Sequence, residues 1–256
     1  MSGDITAKGL ITDVNTSLAF CTRLPLVHSA FVEGADIARA SWAFPLVGAA
    51  VGILGGIVCW LAASVGLHPF LVSVLALSTT MLATGCLHED GLADTADGLG
   101  SGATAERKLE IMRDSHIGVY GASALMLSLM LRAGAIASLA GPGLMVWALF
   151  AAHAGSRAAL PALMRLVPRA REDGLSVAVG RPPLESVLGA AAIGIVAVML
   201  GLGFSGGLIA VALVVTATAI IGRLCIAHIG GQTGDVLGTL QQVSEILILL
   251  VAAAWL

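Results

Sequence analysis

From position 40 through position 88, between Arg39 and Glu89, the chain carries no charged side chain. At ~1.5 Å per helical residue that run is long enough to cross a ~30 Å hydrocarbon layer twice, and Gly66, His68 and Pro69 mark the place where it would turn. A second apolar block, Val119 to about Met164, is divided by Gly141-Pro142-Gly143, and a third, Ser186 to Gly222, by Phe204-Ser205-Gly206-Gly207. The closing run Ile246 to Leu256 reaches spanning length only if its helix begins near Val236. Charged residues make up 11% of the chain and hydrophobic ones 57%. Soluble proteins carry roughly 25% charged residues, so a water-soluble globule and a disordered chain are both excluded. A net charge of −3 gives no support to nucleic-acid binding. With 4% aromatic residues and 32 glycines, the apolar segments suit closely packed helices better than a barrel with aromatic girdles.

The expected fold is therefore all-α: one polytopic membrane bundle over residues 1–256 with about seven spans. Residues 1–40 form a cytoplasmic or interfacial segment, and 88–118, 165–185 and 225–242 form cytoplasmic loops. Asp4, Lys8 and Asp13 interrupt the first twenty residues, so no cleaved leader is predicted. Leu10, Val14 and Leu18 recur at helical spacing, which suits a helix lying on the membrane surface. Lys8, Arg23 and Arg39 precede the first span, Arg107, Lys108 and Arg113 lie between the second and third, and Arg165, Arg169, Arg171 and Arg181 between the fourth and fifth. The alternate turns hold no Lys or Arg, which places the N-terminus in the cytoplasm. Cys21, Cys59, Cys86 and Cys225 are far apart and read as free thiols.

Three polar islands carry the chemistry. The densest is His88-Glu89-Asp90-Gly91-Leu92-Ala93-Asp94-Thr95-Ala96-Asp97-Gly98. Carboxylates so close together beside a bilayer need a cation, and on a helix Asp90, Asp94 and Asp97 fall at i, i+4, i+7. All-oxygen ligation of this kind suits Mg²⁺ or Mn²⁺; the bland alternative is a solvated acidic helix end. The second island runs from Arg107 and Lys108 to Arg113, Asp114 and His116. Its basic groups could hold phosphate, or could simply mark the cytoplasmic side. The third comprises Arg223 and then His228-Ile229-Gly230-Gly231-Gln232-Thr233-Gly234-Asp235, whose glycines could expose backbone N–H groups to phosphate. Glu245, in an apolar stretch, requires a partner such as an Arg, while Arg157 is expected in the cytoplasmic half of the bundle and Arg132 near the far interface.

Read in order, these pieces resemble the cobalamin-5′-phosphate synthase family, also called adenosylcobinamide-GDP ribazoletransferase. The resemblance rests on Phe20-Cys21-Thr22-Arg23-Leu24-Pro25, Phe44-Pro45-Leu46-Val47-Gly48, His88 to Gly98, Ile111 to Gly118, Ser156-Arg157, Pro168 to Leu175, and Gly230 to Gly238 with Glu245. It implies a transferase in a bacterial cytoplasmic (inner) membrane, with its site on the cytoplasmic face. In that reaction α-ribazole or its 5′-phosphate attacks adenosylcobinamide-GDP, forms the nucleotide loop of cobalamin and releases GMP, with Mg²⁺ required. On that reading Asp90, Asp94 and Asp97 hold Mg²⁺, and Glu89, Asp235 and Asp114 are the candidate catalytic carboxylates. Arg23, His88, Arg113, Arg157, Arg223, Gly231 and Thr233 contact substrate. The expected partners are the two substrates and membrane lipid, not nucleic acid, and a homo-oligomer stays open. An enzyme joining a CDP-activated group to an alcohol would need a similar Asp-rich site, but has an Arg shortly after the first Asp-Gly pair where this chain has Ala93-Asp94-Thr95. A cation-coupled transporter would place its carboxylates nearer the membrane midplane.

Overall fold

A computed structural model describes residues 7–24, 34–174 and 179–256. Pro25 and Leu175, which end two of the quoted motifs, and Asp4 lie outside the described residues. The elements are α1 (Ala7–Cys21), α2 (Gly34–Ala40), a 3₁₀ turn (Ser41–Ala43), α3 (Phe44–Ser64), α4 (Pro69–Thr84), α5 (Leu87–Ser101), α6 (Ala105–Ile111), α7 (Val119–Ala137), α8 (Pro142–Ala158), α9 (Leu160–Leu166), α10 (Leu184–Ile229) and α11 (Gly234–Trp255). Helices account for the architecture, as the apolar runs require once backbone groups must be satisfied without water.

The turns fall near the predicted breakers. Gly66 adopts φ +81° between α3 and α4, and Pro69 and Pro142 open α4 and α8, where a missing N–H costs nothing. The third breaker acts at Gly203 rather than at residues 204–207. Its φ of 72° with ψ of 176° is open in practice only to glycine, and it splits α10 into two arms. The chain folds back there: a Cβ on Gly207 would lie 3.0 Å from the Met199 Cα.

Small residues then set the packing. A Cβ on Gly48 would meet the His153 carbonyl oxygen at 2.1 Å, one on Gly52 the Leu149 carbonyl oxygen at 2.4 Å, and one on Gly56 the Val146 Cα at 3.1 Å. These three glycines at four-residue spacing let the α8 backbone rest on α3, which is how helices associate where lipid offers no hydrophobic drive. The most enclosed candidate span is α11, which packs on α5, α7, α8 and α10. One apolar cluster, including Ile136, Leu149, Leu202 and Ile248, fills the bundle interior, and a second, including Phe44, Leu163, Val236 and Leu240, lies beneath the polar end.

About seven spans are expected from the sequence, whereas four helices are long and apolar enough to cross a membrane, or five if α4 and α5 form one bent span. The difference is physical. With 16 and 17 residues, α4 and α8 are only about 24–26 Å long, and the two crossings expected around residues 204–207 run on as the two arms of α10. Two predicted loops are also largely helical: α5 and α6 occupy most of 88–118, and only residues 230–233 separate α10 from α11 within 225–242. Helix α1 forms over Ala7–Cys21 and leaves Leu10 and Ile11 exposed. Its polar stripe turns inward, where Asp13 pairs with Arg39 and accepts from Trp42 Nε1 at 2.9 Å, and Ser17 donates to the Ala40 carbonyl at 2.8 Å.

Candidate active site

The acidic island is a continuous helix, α5, bent 90° away from α4 at Gly85 and Cys86, both with positive φ. Gly91 places it against α11: a Cβ on Gly91 would lie 2.8 Å from the Asp235 carbonyl oxygen, and one on Gly238 3.1 Å from the Gly91 Cα. Thr239 Oγ1 seals the contact by donating to the Gly91 carbonyl at 3.2 Å. This backbone-to-backbone approach brings two stretches some 145 residues apart together at the polar end of the bundle. Asp90 is exposed there, and Asp94 and Asp235 are half-buried. Asp94 feels the charges of Asp90, Asp235 and Asp97, with Arg171 acting against them.

Arg171 Nη2 lies 3.1 Å from Asp235 Oδ2, which also accepts from Thr233 Oγ1 at 3.0 Å, while Thr233 caps α11 by accepting from Val236 N. Nε and Nη1 of Arg171 are buried and make no hydrogen bond among the described residues, although Nε lies 4.0 Å from the Asp173 carboxylate. A guanidinium with two spare donors beside an acidic group is suited to an anion carried in by a ligand.

Asp97 faces the other way. Its two oxygens accept the N–H groups of Gly118 at 2.7 Å and Gly121 at 2.9 Å, so it caps the N-terminus of α7, where a negative charge complements the helix dipole. A Cβ on either glycine would run into that carboxylate. Asp114 and His116 are exposed in the α6–α7 connection. The imidazole and backbone N–H of His116 bind the Asp114 carboxylate and hold it below the usual carboxylate range. Arg113 pairs with Asp173 across the surface.

The glycine loop docks on the segment after α9. Gln232 N donates to the Pro168 carbonyl at 2.7 Å and Ala170 N to the Gln232 carbonyl at 3.0 Å, forming a short parallel bridge. A Cβ on Gly231 would lie 2.3 Å from the Pro168 oxygen. Packing therefore demands glycine at 231, whatever its N–H offers a phosphate. The docking also delivers Arg171 to Asp235.

Beneath this surface lies a buried polar network. Arg132 Nη1 donates to Glu89 Oε1 at 3.0 Å and Glu245 Oε1 at 3.1 Å; His153 Nδ1 stands 3.3 Å from Glu245 Oε2. Gln241 Nε2 bridges Glu245 and Ser156 Oγ, and Gln242 Nε2 reaches Glu89 at 3.1 Å. Arg157 donates to the His153 carbonyl at 3.3 Å, and buried His88 adjoins the same charges. The expectation that Arg132 reaches the far interface is thus wrong: it is 1% exposed, because two buried carboxylates hold it inside. Glu245 has the arginine partner that its apolar setting requires.

The structure brings together Asp90, Asp94, Asp235, Gly231 and Thr233, and separates from them Glu89, His88 and Arg157, which belong to the network. Arg23 lies over Gly85, Arg113 and Asp114 are on the surface, and Arg223 stands on the second arm of α10. Arg171, absent from the expected set, was legible as one basic residue of the Pro168 to Leu175 motif and of the positive segment between the fourth and fifth expected spans; Gln241 and Gln242, four and three residues before Glu245 in an apolar helix, were the sequence signal for the network. Among the described residues no three His, Cys, Asp or Glu side chains stand close enough to hold a metal ion as placed. The donor set nevertheless fits a hard divalent cation in kind: all-carboxylate oxygens, with Arg171 the one guanidinium set against them.

Known proteins match the chain along nearly its whole length. The family model described as Cobalamin-5-phosphate synthase matches residues 13–253. A Bradyrhizobium diazoefficiens protein named adenosylcobinamide-GDP ribazoletransferase is 51% identical over 253 residues, 99% of this chain and 97% of its own length. Proteins of the same name from Mesorhizobium japonicum and Azorhizobium caulinodans are 47% and 42% identical, covering 97% and 94% of this chain and 95% of each relative. No solved structure matches. The match runs through α5, the Arg171 segment and the head of α11 alike, and the chain belongs to the cobalamin-5-phosphate synthase family.

Proposed function

We propose that this protein transfers the cobinamide phosphate of adenosylcobinamide-GDP to a ribose hydroxyl of α-ribazole or its 5′-phosphate, releasing GMP, at the polar end of the bundle on the cytoplasmic face of a bacterial inner membrane. The observation that carries the proposal is the Gly91–Gly238 contact, which sets Asp90 and Asp94 beside Asp235 and Arg171. Cleaving a diphosphate with a sugar hydroxyl calls for charge neutralisation and in-line placement more than for a covalent intermediate.

Mg²⁺, when bound, would neutralise the diphosphate, and Asp90 and Asp94 would hold it, with Asp97 behind them on the same helix. Asp235 accepts the hydroxyl proton on its carboxylate; of the three candidate bases it is the one that shares the acidic group. Glu89 is buried in the network with Arg132 and Gln242, and Asp114 lies on the surface with His116, so neither stands in that group. The spare donors of Arg171 bind phosphate oxygens and orient the leaving group. Purified protein in lipid vesicles, given adenosylcobinamide-GDP, α-ribazole 5′-phosphate and Mg²⁺, should release GMP in step with cobalamin phosphate. Absence of GMP from folded protein would sink the assignment.

A further inference from the structure

The two arms of α10 meet near Gly203 and leave between them, against α8 and α9, a cavity of about 420 Å³ that is open to its surroundings. Gly194 and Val198 line it from the first arm, Val214 and Ala219 from the second, and Leu163 from α9; among the described residues Arg223 is the one charged residue in its wall. Arg223 has no hydrogen bond or ion pair among the described residues. It lies near the end of the second arm that leads through residues 230–233 into the head of α11, so it marks the polar end of the cavity. Val167 packs at that end, 3.1 Å from where a Cβ on Gly222 would stand. Elsewhere the second arm presents exposed Leu208, Ile220 and Leu224, a face for lipid.

Water gains no partners in an apolar space, and a large void forfeits dispersion contacts on every wall. The volume falls within the range of about 300–1,000 Å³ typical of ligand sites, and its chemistry is that of a hydrocarbon chain ending at a guanidinium. We propose that the cavity is a phospholipid site: an acyl chain fills the apolar interior and the phosphodiester accepts from the Arg223 fork, whose charge favours a net-anionic headgroup. The charge complementarity at the mouth separates this occupant from a purely apolar helix of a second copy.

Native mass spectrometry of the delipidated protein, offered phosphatidylglycerol or phosphatidylcholine of identical chains, tests the site without reference to turnover, so its result is independent of the transferase assignment. Phosphatidylglycerol should bind preferentially. Arg223→Gln should weaken its apparent affinity roughly tenfold or more, visible as reduced occupancy at sub-saturating lipid, as loss of a charge-assisted bond implies. Arg223→Lys should retain most of it. Ala219→Phe, which fills the cavity, should reduce both lipids; Ala191→Leu on the facing arm repeats that test if the first variant melts early. Excess inorganic phosphate should not displace the lipid. Unchanged occupancy in Arg223→Gln, or in both filling variants when folded, overturns the proposal, as does a lipid-free dimer that Ala219→Phe converts to monomer, which would assign the cavity to a second copy.

Discussion

The guanidinium of Arg132 sits 3.1 Å from the carboxylate of Glu245, on neighbouring helices and with both side chains buried. The same Nη1 lies 3.0 Å from Glu89, so one cation joins α7 to α11 and to the acidic helix α5. Coulomb attraction at such separations is strong once water is removed, but so is the cost of desolvating three charges. The cluster's value is conditional: it holds only while all members are present.

Arg132→Met should therefore destabilise the bundle by about 3–5 kcal/mol, the usual result of stripping one partner from a buried pair and leaving carboxylates without a cation. Melting in detergent, followed by size-exclusion recovery after heating, measures this. Arg132→Lys keeps the charge and should melt between the two. If Arg132→Met melts with the wild type, the network contributes nothing to stability.

Much of this architecture was legible in the sequence because its signals are local. The uncharged run from 40 to 88 dictated a helical hairpin, and Gly66 with Pro69 gave its turn. The break in α10 was displaced by one residue from the predicted 204–207 turn because only Gly203 adopts the required φ. The acidic island was equally plain, but its internal division was not. Asp90, Asp94 and Asp97 look equivalent at i, i+4, i+7, and only the arrival of α7, far along the chain, draws Asp97 aside to cap Gly118 and Gly121. Arg132 illustrates the same limit, since nothing near it in sequence announces Glu89 or Glu245.

That division separates two substitutions of the same kind. Asp97→Asn leaves one acceptor oxygen for two N–H groups and removes the charge at the head of α7, so it should lower stability by about 1–2 kcal/mol. Asp94→Asn removes a charge repelled by Asp90, Asp97 and Asp235, and should leave the melting temperature unchanged or raised while reducing GMP release at least 100-fold. Paired melting curves and initial rates decide; equal melting and equal rates for the two variants would show that the carboxylates share one role.

Membrane orientation can be read by thiol labelling. After Cys86, the exposed native thiol, and the three buried ones are replaced, Gly143→Cys and Ser101→Cys place single thiols at opposite ends of the bundle. A Cβ at Gly143 meets nothing within 4 Å, and Ser101 is exposed at the end of α5. An impermeant maleimide added to intact cells should label residue 143 and spare residue 101. The reverse pattern would put the acidic group outside the cell, where a cytoplasmic nucleotide substrate could not reach it.

The glycine pair 230–231 offers the sharpest comparison, because adjacent positions are held to glycine for different reasons. Gly230 ends α10 with φ +80° and has open space where a Cβ would stand, so Gly230→Ala incurs only left-handed backbone strain, about 1–2 kcal/mol. Gly231 has no positive φ, yet its Cβ would lie 2.3 Å from the Pro168 oxygen and 2.7 Å from the Arg169 carbonyl carbon, neither of which is a side chain able to swing away. Gly231→Ala must push the segment at 168–170 off the loop, breaking the paired bonds with Gln232 and withdrawing Arg171 from Asp235. Turnover should drop by about two orders of magnitude or more in Gly231→Ala, accompanied by faster protease cleavage near Arg169 and Arg171, against a change of less than about tenfold for Gly230→Ala with protection intact. The protease readout matters because it reports undocking directly, whether or not the residue also touches substrate. Equal kinetics and equal protection in the two variants would mean that the bridge between Arg169 and Gln232 does not position Arg171, and that the site is confined to α5 and the head of α11.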